Sequence, residues 1–362
     1  MKQPMEKYRF VIIGSGWRAM YYVRIAKALP EWFTLCAMYC RTADKAEQIA
    51  AEQGIHTTTS IEECIGYQPD FVVVAVSKTA ITDVSLEWIR RGFTVLCETP
   101  VAADRSAYEK LRTLFSGEAD AAKSYDKLVV AEQYRHYPVY SALIRLLHKG
   151  LIGTPDCLNI SLAHEYHGAS LMRALLDIPV DTEFAVTAKT YTFPTVETLT
   201  RYASYQDGRI ADKKRTVATF AFADQKVAFY DFDSEQYRSP IRKNTVKIQG
   251  CRGEIIDNMV YYLDQENRPK QAKLLIEARQ IETADPNPNL HHVEEITRIS
   301  FEGEVLYTPE FGLCGLSQDE TAIAHLMRET AAYARGDAES PYLLAEAMRD
   351  AYMAIRMREA EG

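Results

Sequence analysis

A disulfide pattern, a long apolar run and an excess of positive charge are all missing from this sequence. Its seven cysteines are an odd number without a C-x-x-C pair, which excludes a disulfide framework and a zinc ribbon and predicts reduced thiols. No apolar run approaches the length of a membrane-spanning helix, and the charged first nine residues do not resemble a signal peptide. We therefore expect a cytoplasmic protein that does not enter a membrane.

The charge balance also excludes a class of partners. Lys and Arg number 42 against 50 Asp and Glu, and the net charge of -8 offers no electrostatic footprint for duplex DNA. The 362 residues, 47% of them hydrophobic and 25% charged, are typical of a soluble protein with two domains or one large one. We expect a small-molecule partner and no nucleic acid.

The pattern of apolar and polar residues changes once along the chain. Residues 1–130 alternate apolar runs with helical periodicity, which predicts a doubly wound parallel sheet. The predicted strands are 9–13, 33–40, 71–76, 94–97 and 128–131, and the predicted helices are 19–29, 43–53, 81–91 and 105–115, the last capped by Asp104. From about residue 134, long alternating stretches predict an antiparallel sheet, and helices over 318–334 and 342–358 close the chain.

A glycine turn follows the first predicted strand, Gly14-Ser15-Gly16-Trp17-Arg18-Ala19. In a G-x-G-x-x-A turn the first glycine permits the bend, the second lets a pyrophosphate approach the backbone, and the alanine lets helix and strand pack closely. The helix N-terminus adds free N–H groups and positive potential. The motif therefore predicts dinucleotide binding by a Rossmann domain, with a purely structural turn as the alternative.

The end of the second strand indicates which dinucleotide is bound. An acidic residue there would bind the ribose 2′-hydroxyl of NAD, but this chain has Cys40-Arg41-Thr42. An arginine beside a hydroxyl suits a 2′-phosphate, so NADP(H) is favoured over NAD(H). In the alternative, Arg41 is a solvated loop residue stacked on adenine, and NAD remains open.

Further segments complete a resemblance. The glycine turn is joined by Cys97-Glu98-Thr99-Pro100, Glu132-Gln133-Tyr134-Arg135 with Pro138, Gly150-Leu151-Ile152-Gly153 and Gly250-Cys251-Arg252-Gly253. Over nearly its whole length the chain resembles the Gfo/Idh/MocA oxidoreductase family.

The resemblance implies a two-domain α/β architecture. Residues 1–133 would form the Rossmann domain, and 134–362 a substrate-binding and oligomerisation domain with a large, mainly antiparallel open sheet. The resemblance leaves open whether the final helices pack back on the first domain. The open sheet would mediate a homodimer or homotetramer, and the activity would be an NAD(P)-dependent dehydrogenase or reductase of sugars, cyclitols or related polyols.

The chain departs from that family at its Glu-Lys-Pro segment. Thr99 replaces the lysine that assists proton transfer, and a hydroxyl of very high pKa can position a substrate or relay a proton without serving as acid or base. Glu98 is expected to orient the nicotinamide ribose or amide, and Pro100 to fix the loop. We favour this role for Glu98 over that of a catalytic base. Ser15, Trp17, Arg18, Ser77 and Gln133 complete the cofactor residues that we expect.

A second family signature, Asp-x-x-x-His, is also altered, because His167 matches its histidine and Ala163 replaces its aspartate. Oxidising an alcohol requires removal of the hydroxyl proton, and imidazole has the pKa closest to working pH. His167 is the predicted acid/base, with Tyr166, His164 and Thr99 in support, although a histidine can also be structural. The H-x-x-H spacing lacks a third ligand, so we predict no metal.

Substrate contacts are predicted from two regions. Tyr134 and Arg135 stand at the domain junction, where α/β enzymes place ligands. Arg173 could clamp a carboxylate or sugar oxygen, with a helix-surface ion pair as the alternative. Tyr237 and Arg242 combine an aromatic with hydrogen-bond donors, or form a solvated basic sheet edge.

Three functions remain open at this point. The first is hydride transfer to or from a ring carbon of a sugar, cyclitol or related polyol. The second is an NAD-dependent glycoside-cleaving enzyme, which uses transient oxidation and elimination and suits a site with several His and Tyr groups. The third is a non-catalytic sensor that retains the fold.

Overall fold

Residues 6–115, 126–200, 203–282 and 292–361 are described by the computed structural model of this chain. They form two compact units. The first unit comprises the residues up to His136 together with Asp319–Tyr352, and the second comprises Tyr137–Gln318 and the residues from Met353 onwards. Neither unit is therefore a single stretch of sequence.

The first unit contains a parallel sheet of doubly wound topology. Its strands lie in the order β3-β2-β1-β4-β5-β6 and pair in parallel throughout. They are β1 Tyr8–Ile13, β2 Phe33–Tyr39, β3 Thr57–Thr58, β4 Phe71–Val74, β5 Thr94–Cys97 and β6 Leu128–Val130. The predicted parallel sheet is confirmed, and the strand order reverses between β1 and β4, where such folds bind ligands.

Helices connect these strands as the periodicity predicted. They are α1 Ala19–Ala28, α2 Ala43–Gln53, α3 Ile61–Gly66, α4 Ile81–Arg90 and α5 Arg105–Phe115. The Asp104 carboxylate accepts a hydrogen bond from the Ala107 N–H at 2.9 Å, which confirms the predicted cap. The short α3 and the two-residue β3 were not predicted, because elements of that length show no period in the sequence.

The second unit is built on an eight-stranded, mainly antiparallel sheet, which confirms the predicted architecture. It contains α6 Pro138–His148, α7 Glu165–Leu176, β7 Pro155–Ser161, β8 Phe184–Val196, β9 Ile210–Phe222, β10 Val227–Asp233, β11 Thr245–Gly250, β12 Gly253–Ile256, β13 Met259–Leu263 and β14 Pro269–Lys273. The strand order is β14-β13-β12-β11-β7-β10-β9-β8. A smaller antiparallel sheet follows, of β15 Leu275–Glu282, β16 His292–Phe301 and β17 Glu304–Tyr307.

One pairing in the large sheet decides where loops meet. β7 and β10 run parallel, whereas the other described pairs of this sheet are antiparallel. The chain segments that follow the carboxyl ends of β7 and β10 therefore lie at the same end of the sheet. One leads into α7, and the other is a 3-10 helix, Ser234–Tyr237.

Two helices close the chain, α8 Gln318–Arg335 and α9 Leu344–Glu359. Within the first unit, α8 is tied to the sheet at its C-terminal end. The Arg335 guanidinium donates to both oxygens of Asp70 at 2.9 Å and to the carbonyl of Lys7 at 2.9 Å. Across the described ranges, we find no helix with both the length and the apolar character needed to cross a membrane.

Candidate functional site

The glycine turn between β1 and α1 has the backbone geometry of a dinucleotide cradle. Gly14 has φ +117°, and a Cβ there would lie 2.8 Å from the carbonyl carbon of Ala75 and overlap its oxygen. A Cβ on Gly16 would meet nothing within 4 Å. Gly14 is therefore required by the packed turn itself, whereas the absence of a side chain at Gly16 leaves open space in front of the backbone.

The residues after β2 were expected to read the adenosine ribose. Cys40 is buried and Arg41 is exposed. The Thr42 hydroxyl caps α2 by accepting a hydrogen bond from the Lys45 N–H at 3.4 Å. Arg41 is thus exposed to solvent, while the Thr42 hydroxyl already serves the helix.

Two other predicted cofactor residues lie after β4 and β5. Ser77 is exposed, with its hydroxyl 3.1 Å from that of Thr79. Thr99 and Pro100 are half-buried and joined by a cis peptide bond. Both segments follow the carboxyl ends of their strands, on the side of the sheet where doubly wound folds bind nucleotides.

A partly buried ionic network ties the glycine turn to the end of β5. The Arg18 Nε donates to Glu98 Oε1 at 2.8 Å, and the Tyr22 hydroxyl donates to the same oxygen at 2.6 Å. Burial would lower the pKa of Arg18, but the carboxylates of Asp319 and Glu98 raise it well above its ordinary value. Burial, together with the Glu98 charge, raises the pKa of Tyr22. The Arg18 guanidinium and the Tyr22 phenol therefore stay protonated, and both hold Glu98 at the start of α1.

Asp319, near the start of α8, joins that network from the far end of the chain. Its Oδ2 accepts from Arg18 Nη1 at 2.6 Å, and its Oδ1 accepts from Gln133 Nε2 at 2.9 Å. Gln133 follows β6 and is 4% exposed. Sequence reasoning singled out Arg18, Glu98 and Gln133 but missed Asp319 and Tyr22, because nothing in a sequence marks partners so far apart.

Arg135, predicted to contact substrate, has its charge matched within the first unit. Its guanidinium lies 3.4 Å from Glu346 and 3.6 Å from Asp350, and 5.0 Å from the ring centre of Tyr342. Burial would lower the pKa of Arg135, but Tyr342 and these carboxylates raise it above its ordinary value. Tyr134 is buried beside it, in the 3-10 helix Tyr134–His136.

The neighbouring His136 is largely buried and stacks on His325, with ring centres 6.2 Å apart. Burial, the His325 ring and the charges of Arg135 and Arg328 lower the pKa of His136 to about 3. This imidazole is therefore neutral at physiological pH. It belongs to the packing of the first unit.

In the second unit, tyrosine hydroxyls hold the segment that leads from β7 into α7. The Tyr230 hydroxyl accepts from the Glu165 N–H at 3.0 Å and donates to the Ala163 carbonyl at 3.0 Å. The Tyr237 hydroxyl accepts from the His164 N–H at 2.8 Å. Ala163 has φ +61°, a conformation that costs free energy in a residue with a side chain. The segment is thus held in one strained shape.

His164, Tyr166 and His167 are brought together by the first turn of α7. The His167 N–H donates to the His164 carbonyl at 2.8 Å, and the rings of Tyr166 and His167 lie 5.8 Å apart. Tyr166 is buried, His167 is half-buried and His164 is exposed. We define residues 163–167 as the histidine segment. Tyr237, 39% exposed, lies against it.

Arg173 and Arg242 occupy different surroundings. Arg173 is 2% exposed, and its Nη1 lies 3.5 Å from the Ile178 carbonyl beyond the end of α7. The surface position that the alternative gave Arg173 is wrong, because this residue is buried. Arg242 is half-buried, with its Nη1 3.4 Å from the Ile241 carbonyl.

As for metals, no group of three or more His, Cys, Asp and Glu side chains in the described ranges is arranged to hold an ion.

Comparison with known proteins adds to this geometry. Residues 8–126 match the model of the Gfo/Idh/MocA oxidoreductase family, NAD-binding Rossmann fold. None of the curated proteins compared with the chain matches it.

Solved structures show the same fold along the whole chain. An oxidoreductase from Sinorhizobium meliloti is 16% identical with a TM-score of 0.64, and the alignment covers 99% of this chain and 98% of that one. A levoglucosan dehydrogenase in complex with NADH and levoglucosan is 17% identical, with a TM-score of 0.64 over 98% and 97% of the two chains. A myo-inositol dehydrogenase from Corynebacterium glutamicum is 15% identical, with a TM-score of 0.61 over 98% and 96%.

Proposed function

Because residues 8–126 are an NAD-binding Rossmann domain of the Gfo/Idh/MocA oxidoreductase family, we propose that the chain is an NAD(P)-dependent dehydrogenase or reductase of a sugar, cyclitol or related polyol. The observation that carries this proposal is the Gly14–Gly16 turn, with its open space at Gly16. The solved structures named above include proteins described as acting on levoglucosan and myo-inositol, which supports the substrate class.

The dinucleotide fits the residues of the first unit. Gly14, Ser15 and Gly16 would hold its pyrophosphate, and the buried Gln133 presents an acceptor to a donor group. When bound, the nicotinamide supplies the hydride chemistry. The chain's own residues must orient the substrate and move a hydroxyl proton.

We assign the proton transfer to His167. His167 is half-buried in the first turn of α7, where its backbone is held by a hydrogen bond to His164 and by the tyrosine-braced segment before it. Imidazole exchanges a proton near neutral pH, whereas the hydroxyl of Thr99 does not. Thr99, Tyr166 and His164 support it by positioning or relaying, and Tyr134, Arg135, Arg173, Tyr237 and Arg242 remain our proposed substrate residues.

We propose NADP(H) as the preferred cofactor because Arg41 is exposed at the place where the 2′-phosphate would lie, with no acidic residue beside it in Cys40-Arg41-Thr42. Isothermal titration of NADP+ and NAD+ tests this with Arg41→Ala. We expect about a tenfold loss of NADP+ affinity and no change for NAD+. Equal losses for both would assign Arg41 to adenine.

The function itself is tested by denaturing the purified protein and identifying any released dinucleotide by mass. An empty protein that binds NADP(H) reversibly and reduces a keto-sugar supports the proposal. A protein that binds neither dinucleotide would refute it and favour the non-catalytic sensor.

The His164, Tyr166 and His167 cluster supports a second candidate, a glycoside-cleaving enzyme that oxidises its sugar transiently and eliminates the leaving group. Such a scheme moves more than one proton and regenerates its cofactor in each turnover. Stoichiometric NAD released on denaturation, with turnover that needs no added cofactor, would favour it over the reductase.

We also propose a homodimer or homotetramer formed through the large sheet. The register of β8, β9 and β10 places exposed Tyr191, Phe193, Val217 and Phe229 on one face. Exposed apolar side chains that share a sheet face are typical of an interface. Analytical ultracentrifugation of the wild type and of Phe193→Lys tests this, and we expect the variant to dissociate.

A further inference from the structure

Gln133 carries a buried hydrogen-bond acceptor whose orientation is fixed. Its amide nitrogen donates to Asp319 Oδ1 at 2.9 Å, and an ionised carboxylate only accepts hydrogen bonds. The amide nitrogen must therefore face Asp319, and Oε1 must face away from it. No donor among the described residues reaches Gln133 Oε1, although the side chain is 4% exposed.

A buried acceptor without a donor is unfavourable, and such atoms in native proteins call for an explanation, which a bound ligand provides. Gln133 follows β6, at the outer end of the β4-β5-β6 half of the parallel sheet. In a doubly wound sheet each half takes one nucleoside, with the pyrophosphate at the turn after β1. Because the adenosine lies over the β2 side, the nicotinamide nucleoside belongs to the half that contains Gln133.

Asp319 links this acceptor to the glycine turn. Its second oxygen accepts from Arg18 Nη1 at 2.6 Å, so one carboxylate fixes a residue of the turn and the amide after β6. The next residue, Glu320, accepts from Arg24 Nε at 2.5 Å. The two neighbouring carboxylates of α8 thus have different described hydrogen bonds, and the one from the Gln133 amide goes to Asp319.

We propose that Asp319 is a positioning residue that holds Gln133 with its Oε1 turned toward the nicotinamide half of the dinucleotide. That oxygen accepts a hydrogen bond from the carboxamide N–H or from a hydroxyl of the adjoining ribose. The assignment rests on the proposed function, because it requires a bound dinucleotide.

The test uses two ligands and four proteins. Isothermal titration measures the Kd of whichever of NAD+ and NADP+ binds more tightly, and of its 3-acetylpyridine analogue, in which a methyl group replaces the amide nitrogen. The proteins are the wild type, Gln133→Met, Asp319→Asn and the control Glu320→Gln. Asp319→Asn can donate to Gln133 Oε1 and so turn the Gln133 amide over, which would present a donor to the ligand in place of an acceptor.

We expect Gln133→Met and Asp319→Asn each to weaken binding of the natural cofactor about tenfold, and Glu320→Gln to leave it unchanged. If the donor is the carboxamide, the wild type prefers the natural cofactor over its analogue and both variants lose that preference. If the donor is a ribose hydroxyl, both ligands weaken equally. A general loss of folding would not change the ratio of the two affinities, and thermal unfolding of each variant checks for it.

Two results would overturn the assignment in distinguishable ways. A wild type that binds neither dinucleotide refutes the proposed function and this assignment with it. A wild type that binds, beside a Gln133→Met variant that binds both ligands equally well, refutes the role of Gln133 and Asp319 alone.

Discussion

The first unit and the second unit fix their candidate site residues in opposite ways. In the first, Arg18, Glu98 and Asp319 are charged side chains paired with one another and largely shielded from water. In the second, the histidine segment is fixed through its backbone by Tyr230 and Tyr237. In the first unit paired charges fix the side chains themselves, whereas in the second unit these hydrogen bonds fix the backbone from which the histidines project.

The largest effect should come from the one imidazole that we assign to chemistry. His167→Asn should lower turnover by about three orders of magnitude, because it removes the acid/base, while dinucleotide affinity and thermal stability stay unchanged. Steady-state kinetics with the identified substrate measure this. His164→Asn, three residues earlier and exposed, should cost much less, and equal losses in the two variants would contradict the assignment.

Substituting the two glycines of the turn should have different effects, one on the stability of the protein and the other on dinucleotide binding. Gly14→Ala should destabilise the protein by about 3 kcal/mol or more, because the new Cβ overlaps the Ala75 carbonyl and φ is positive. Gly16→Ala should leave the thermal midpoint unchanged and weaken dinucleotide binding at least tenfold. Thermal unfolding and titration measure both, and a stable Gly14→Ala variant would show that the turn adapts.

Breaking the ionic network tests whether the charges of the first unit act as a structural set. Arg18→Met should cost about 3 kcal/mol of unfolding free energy, because the buried Glu98 and the partly buried Asp319 lose the cation that neutralises them. Urea denaturation at neutral pH measures the loss. Arg268→Met, whose side chain is 67% exposed in its pair with Asp264, is the control and should change stability by less than about 0.5 kcal/mol.

The most gradual effect is spread over several pH units and comes from the half-buried His136 imidazole of the first unit. The pKa of His136 is lowered to about 3, so between its ordinary pKa and pH 3 the unfolded chain binds a proton that the native protein does not. Stability should therefore fall as pH drops through this window, by at most about 1.4 kcal/mol per pH unit from this group. His136→Gln should reduce that slope, and urea denaturation at several pH values in this window measures it.

Local signals in the sequence predicted the parallel sheet because they act over a few residues. β5 was predicted with the bounds it has, since a buried apolar run is its own signal. Gly14 was assigned from a turn whose steric requirement lies between neighbouring strands. Such features need no knowledge of distant chain segments.

The partners across the chain could not be predicted in that way. Asp319 lies 301 residues from Arg18. Tyr237 lies 73 residues from His164, whose N–H donates to the Tyr237 hydroxyl. Both contacts depend on strand order and on where a late helix packs, which periodicity does not encode. Sequence reasoning singled out His167 and Tyr237 separately, and only the structure shows that the Tyr237 hydroxyl braces the segment that leads to His167.

The division of the chain has a consequence for its synthesis. The first unit needs Asp319 and Arg335, which a ribosome makes only after all of Tyr137–Gln318. Its first 136 residues are therefore made before α8, and until α8 is made Asp70 and Gln133 lack the hydrogen-bond partners that this helix carries. Since α9 also contributes to both units, neither can finish folding until that helix has been made, and a nascent chain stalled before α8 should engage chaperones longer than a contiguous two-domain protein would.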